Sequence, residues 1–171
     1  MMPASTRAGV VRLNLGDAEE MRTAYAEILA SAEAYAPQAR IIGVSVQEMV
    51  ADAVEVIVGV SCDPQLGPVL LFGTGGVMVE VYGDVALRRC PITLSEAQAM
   101  IAEVKGARLL QGFRGRPPAD LAALADTLVR VSHPAMHLEG HLAELDINPL
   151  MVLPTGQGVK AVDALVVLRG T

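Results

Sequence analysis

The sequence predicts an α+β domain with a largely antiparallel sheet and helices packed on it. Three observations carry that reading. Short β-prone runs come in groups separated by tight turns, and helical stretches fall between the groups instead of alternating with single strands. Apolar residues make up 52% of the 171 residues while aromatics supply only 3%, with no Trp, so the core is built from Val, Leu, Ile, Ala and Met. The length fits one domain, or a large piece of one, and so apolar a chain leaves surface for a partner to cover.

Residues 1–8 read as an irregular segment, and the domain as 9–171. Gly9 to Leu15 (GVVRLNL) is a short β-like run. Asp17 then caps a helix whose positive first turn holds Glu19 and Glu20; it runs to about Tyr35, and Pro37 ends it. Ile41 to Val50 and Val54 to Cys62 flank a short turn around Ala51 to Ala53 and read as a hairpin. Pro68 to Phe72 is a third strand running into Gly73-Thr74-Gly75-Gly76, and Val77 to Val81 and Val85 to Arg89 resume the sheet around a Gly83-Asp84 turn. Ser95 starts a second helix with Gln98 as capping-box partner, fading near Gly106. After the basic loop Gly112 to Pro118, Asp120 opens a third helix with Leu121, Leu124, Leu128 and Val131 on one face, which Ser132-His133-Pro134 stops or kinks. Ala143 to Leu153 and Gly158 to Leu168 are two last strands joined by a turn at Pro154 to Gln157.

A net charge of −6 argues against a nucleic-acid footprint, which needs a basic face. It leaves phosphate ligands open, since backbone amides, a few cations and a metal can hold them. No secretory signal opens the chain and no apolar run reaches the roughly 18 to 20 residues of a membrane span, so the sequence reads as cytoplasmic. Cys62 and Cys90 stand far apart without a CxxC pattern, as reduced structural thiols do.

Several features carry chemistry. Gly73, Gly75 and Gly76 lie within four residues, where backbone amides can approach an anion, though taken alone a tight β-turn accounts for them better. No helix follows, which excludes a P-loop or a dinucleotide fingerprint. In Glu144-Leu145-Asp146-Ile147-Asn148-Pro149, Asp146 and Asn148 share one face of a strand, and Asp163 lies mid-strand between Val162 and Ala164. If the two strands pair, an amide and a carboxylate meet and suit Mg²⁺, which takes few protein ligands; a solvated edge with an Asx turn is the alternative. Glu48 and Glu55 either accept hydrogen bonds from a ribose or face water. Arg88, Arg89, Arg114 and Arg116 are phosphate or CoA contacts or surface charges. His133, His137 and His141 have a metal-like spacing that Pro134 and Gly140 disrupt.

In chain order, the segments Val46-Gln47-Glu48-Met49-Val50, Glu55 to Val60, Asp63-Pro64, Gly67-Pro68-Val69, Phe72 to Gly76, Val79-Glu80, Asp84-Val85-Ala86, Glu144 to Leu150 and Val162-Asp163 together resemble the ATP-grasp domain of NDP-forming acyl-CoA synthetases, from about Gly9 to Leu168. The resemblance implies that ATP or ADP lies between two antiparallel sheets. Met49 and Val50 would offer backbone groups to the adenine beside Glu48, and Glu55 would face the ribose. Gly73, Gly75, Gly76, Glu80 and Arg88 would line the phosphate side, and Asn148 and Asp163 would hold Mg²⁺ with Asp146 nearby.

The chain departs from the pattern at its start. A His-Lys-(Ser/Thr)-Glu segment of the family is replaced by Ala4-Ser5-Thr6-Arg7, and Thr74 stands where a bulkier apolar residue is usual. The sequence therefore reads as an ATP-grasp domain truncated at its amino-terminal subdomain, including that subdomain's phosphate-contacting lysine. The expectation is an acid–thiol ligase component inactive alone and completed by a partner chain, with exposed sheet surface favouring self-association. A non-catalytic nucleotide-binding or protein-interaction module is the alternative, and an excised piece of a larger protein a third reading.

Overall fold

A computed structural model describes residues 9–75, 83–112, 115–138 and 140–169. It divides into two compact units, Met1–Ala51 and Asp52–Thr171. In the first, helix α1 spans Ala18–Tyr35 as the sequence predicts. The Asp17 carboxylate accepts from the amides of Glu19 and Glu20 at 2.8 and 2.9 Å, satisfying donors that the first turn leaves without helical partners. Glu20 accepts in return from the Gly16 amide, and Arg12 pairs with Glu27 at 3.1 Å.

The predicted strand at Gly9 to Leu15 does not form, and neither does the one at Ile41 to Val50. Both are irregular, and Ile42 is 95% exposed. The hairpin expected of 41–50 fails because its intended partner has no free edge: the Val54–Asp63 strand is paired on both sides by other strands.

The second unit holds that strand, β1 (Val54–Asp63), with β2 (Gly67–Thr74), β3 (Val85–Arg89), helix α2 (Leu94–Glu103), the short α3 (Ala107–Leu110), α4 (Leu121–His137), β4 (Leu142–Val152), β5 (Val159–Ala161) and β6 (Ala164–Leu168). Among the described residues the strands form one six-stranded sheet in the order β3-β2-β1-β4-β5, with β6 also pairing β4. All named pairings are antiparallel. The predicted strand at Val77 to Val81 lies outside the described residues, as does Arg114.

Within this unit the described helices cover one face of the sheet and leave the other open. Alternation along β1 sends Val56, Val58 and Val60 inward. With Leu70, Phe72, Ala86 and Leu150 they pack against Met100 and Ile101 of α2 and Leu124 and Leu128 of α4. Cys90 lies in the same core, and burial pushes its thiol up to about 11.

Local choices differ from the sequence reading in three places. The N-cap of α2 is Thr93, not Ser95. Thr93 Oγ1 accepts from the Glu96 amide, and Glu96 accepts from the Thr93 amide at 2.7 Å, a reciprocal box in which the ionised Glu96 replaces the expected Gln98. Helix α4 runs through Pro134 to His137. A proline this close to the end removes few helical bonds, and Ser132 ties the turn down by donating to the Val129 carbonyl and accepting from the Ile92 amide. The strand expected from Gly158 to Leu168 is two strands broken at Val162-Asp163, opposite the place where β4 carries one residue more than β1.

Asp120 links α4 to the β4–β5 turn. One carboxylate oxygen caps the helix at the Ala123 amide, and the other accepts from Gly156 and Gly158 at 2.9 and 3.0 Å. The amides of Ala123 and Gly158 hold its carboxyl below the ordinary 3.8; burial opposes this and Gly156 adds to it. A carboxylate with a lowered folded-state pKa contributes stability that is present above the unfolded value and lost as pH falls through the folded one. Asp120→Ala should therefore lower the urea midpoint at neutral pH and show a shallower further loss on acidification than the parent chain. Phe72→Ala, at a side chain with no exposed surface, should cost about 3–5 kcal/mol in the same urea titration.

Candidate functional site

The open face of the sheet carries most of the chemistry-bearing residues of this unit. Strand registers fix which residues share it, because directly opposed residues in an antiparallel pair point to the same side. Gly59 opposes Asp146 and Leu71, and Asp146 opposes Leu165. The neighbouring row runs Val85, Gly73, Ile57 and continues towards Asn148. Further along, Glu55 opposes Met151, which opposes Lys160.

Asn148 and Asp163 lie opposite each other where β5 gives way to β6. The Asn148 amide donates to the Asp163 carbonyl at 3.1 Å, and the Val162 amide donates to the Pro149 carbonyl at 3.1 Å. These two bonds hold the strands together across the break. Asp146, two residues before Asn148, is hydrogen-bonded by the Asn148 side chain and feels the charges of Glu144 and Asp163. Partial burial, then repulsion from Glu144 and Asp163, pushes its carboxyl above the ordinary range, and the Asn148 bond only partly offsets them.

Two carboxylates and an amide oxygen, with Asn148 and Asp163 exposed, form a hard, all-oxygen donor set. Mg²⁺ or Ca²⁺ suits such a set, completed by phosphate or water oxygens. A cation would also relieve the repulsion that raises Asp146. Gly59 keeps the floor beside Asp146 low: an added Cβ would lie 3.9 Å from its carboxylate oxygen. Among the described residues, no group of three or more His, Cys, Asp or Glu side chains is arranged to hold a metal unaided. That covers the His133, His137 and His141 series, in which His137 Nδ1 is engaged with the His133 carbonyl.

The other predicted residues fall into three groups. Gly73 and Glu55 share the open face with the cluster, Gly73 two strands from Asn148 and so roughly 10 Å away. The Gly75 amide donates to the Glu55 carbonyl at 3.0 Å, and an added Cβ on Gly75 would press on Glu55 at 3.2 Å, so the two predicted segments are physically joined. Glu48, Met49 and Val50 belong to the first unit, in an irregular stretch where Met49 is exposed. Gly76 and Glu80 lie outside the described residues.

Arg88 is placed differently from the expectation. It opposes the buried Leu70 and therefore sits on the helix-covered face, where its guanidinium pairs with Glu103 of α2 at 2.6 Å. The sequence analysis named Asp84 within a segment carrying the resemblance but assigned it no role; it is buried and accepts from two main-chain amides. Among the described residues, no helix is long and apolar enough to cross a membrane.

Comparison with known proteins identifies the family and the fold. The family model of the ATP-grasp domain matches residues 2–168. The β-subunit of ADP-forming acetate–CoA ligase II from Pyrococcus furiosus is 42% identical over 163 residues, which cover 95% of this chain and 69% of that protein. The structure of acetyl-coenzyme A synthetase 1 from Ca. Korarchaeum cryptofilum in complex with coenzyme A and Ca-AMPCP superposes with a TM-score of 0.90 at 42% identity, over 96% of this chain and 70% of that one. A second structure of that protein, with coenzyme A and Mg-AMPPCP, gives 0.83 at 40% identity, over 98% and 71%. The sheet with its helices is thus a large part of a known architecture, and the chain is homologous to the ATP-grasp-containing subunit of NDP-forming acyl-CoA synthetases. It belongs to the ATP-grasp domain family.

Proposed function

We propose that this chain binds a nucleoside di- or triphosphate with Mg²⁺ and serves phosphoryl transfer in an NDP-forming acyl-CoA synthetase, an acid–thiol ligase. The observation that carries the proposal is the pairing of Asn148 with Asp163 beside Asp146, on a sheet face shared with Gly73 and Glu55. The metal-nucleotide analogues named for the homologous Korarchaeum structures support it.

In this reading Asp146, Asn148 and Asp163 hold the ion through oxygen atoms. When bound, the ion neutralises phosphate charge and lowers the cost of transferring a phosphoryl group. Glu55 accepts a hydrogen bond from the ribose, and Gly73 and Gly75 line the phosphate side, where the absence of side chains lets an anion approach closely. Arg88 is occupied by Glu103 and stays outside the contact set. The chain's residues act by positioning and charge balance; none of them is assigned a covalent step.

The subunit likeness supports a further part of the proposal, that activity needs the remaining portion of a full-length β-type unit and the CoA-binding domains, on this polypeptide or another. Self-association is proposed as well, supported by β6, in which Leu165 and Leu168 are 55% and 61% exposed along a strand lying at the border of the sheet.

Isothermal titration with Mg-ADP tests the central claim. Measurable binding that EDTA abolishes is the expected result, and absence of binding at millimolar nucleotide would overturn it. Asp163→Ala should weaken Mg-dependent binding by at least about tenfold with an unchanged circular dichroism spectrum. Asp146→Asn should do the same and should also raise the melting temperature of the metal-free chain at neutral pH. A raised folded-state pKa means that the ionised carboxylate opposes folding above that value, an effect absent below the unfolded one; the gain in melting temperature should therefore shrink as the pH is lowered towards the unfolded value.

A further inference from the structure

The Asp84 carboxylate connects three segments. One oxygen accepts from the Lys105 amide at 2.8 Å; the other accepts from the Gly106 amide at 2.8 Å and, more loosely, from the Thr74 hydroxyl at 3.4 Å. Asp84 and Thr74 are both buried, Thr74 with 1% of its surface exposed. Gly106 closes the arrangement. A Cβ there would lie 2.3 Å from Thr74 Oγ1 and 2.7 Å from Thr74 Cβ, so the α2–α3 turn abuts the threonine side chain directly. The backbone of Gly106 has an ordinary right-handed φ of −68°; glycine is required there by contact, not by conformation.

Thr74 stands between Gly73 and Gly75 at the end of β2. With glycine on either side of it, this strand end lets a phosphate approach closely, and its value to an anion depends on what fixes its direction. Two fixings are present. The Gly75 amide is spent on the Glu55 carbonyl at 3.0 Å, which locks the strand end to β1. The Thr74 side chain is held between Asp84 and Gly106, which locks it to the helical layer. An apolar residue at position 84 would fill the same space without orienting the threonine.

We propose that Asp84 is a positioning residue for the phosphate side of the nucleotide site, acting through Thr74 to set the direction of the β2 end at Gly73–Gly75. The inference rests on the nucleotide-binding reading given above. Asp84 touches no ligand itself. Its effect should therefore fall on the phosphates and spare the nucleoside.

The test compares Thr74→Val, which removes the hydroxyl while keeping the shape, with Thr74→Ser, which retains it, and with Asp84→Asn. Two readouts are taken on the intact chain: amide hydrogen exchange across 71–75 without nucleotide, and affinities for adenosine and Mg-ADP. Thr74→Val and Asp84→Asn should accelerate exchange at the strand end and weaken Mg-ADP by about ten- to a hundredfold while leaving adenosine unchanged; Thr74→Ser should match the parent. Equal losses for adenosine and Mg-ADP would mark a merely structural role and overturn the proposal, as would unchanged exchange in Thr74→Val. Should Asp84→Asn not fold, the threonine pair decides alone. Should the parent chain take up no Mg-ADP, the functional reading fails, and the exchange data still judge the clamp.

Discussion

A sheet whose own unit's helices, α2 and α4, cover one face imposes the division on which the rest of this structure depends. Val56, Val58 and Val60 of β1, with Leu70 and Phe72 of β2, commit alternate residues to the core, and the residues between them must then project from the other side. Glu55, Gly59, Gly73, Asp146 and Asn148 share a face as a consequence of that packing. A one-residue slip of β4 against β1 would exchange the carboxylates for Leu145 and Ile147. The double pairing of β1, by β2 and β4, makes such a slip costly and leaves no edge for another strand.

The carboxylate cluster runs against the economy of the fold. Asp146 is partly buried beside two like charges and receives one compensating hydrogen bond from Asn148. Asp120 and Asp84, by contrast, are surrounded by amide donors that favour their ionised forms. The satisfied carboxylates bind segments of the chain to each other, whereas Asp146 is the one placed in the proposed cation site.

Much of this was legible in the sequence where a local rule decided the outcome. Asp17 and Asp120 announced their helices through short polar side chains ahead of apolar periodicity, and β-prone runs between turn residues gave β1 and β2. Reading failed where the outcome was non-local. Ile41 to Val50 has strand composition, yet whether it pairs depends on a free edge, and position in a sheet leaves no mark on a segment's own residues. The choice between Thr93 and Ser95 turned on a reciprocal bond to Glu96 that either spacing permitted. For the site, the common face of Asp146 and Asn148 followed from a period of two, and the proximity of Asp163 from a pairing that the turn at Pro154 suggested. Arg88 was misplaced because its partner, Glu103, lies on a helix fifteen residues away, and Asp84 was given no role because its value lies in amides that no sequence displays.

The two cysteines differ in environment, and the difference gives the molecule a built-in gauge of its own breathing. Cys62 is half-buried at the end of β1, while Cys90 is sealed beneath the helices and holds its proton to about 11. A thiol reagent at neutral pH meets almost no thiolate at Cys90 while the helical layer stays seated. Modification of Cys90 therefore keeps time with the opening of the core that buries it, and Cys62, packed less deeply against the same core, serves as the more accessible reference.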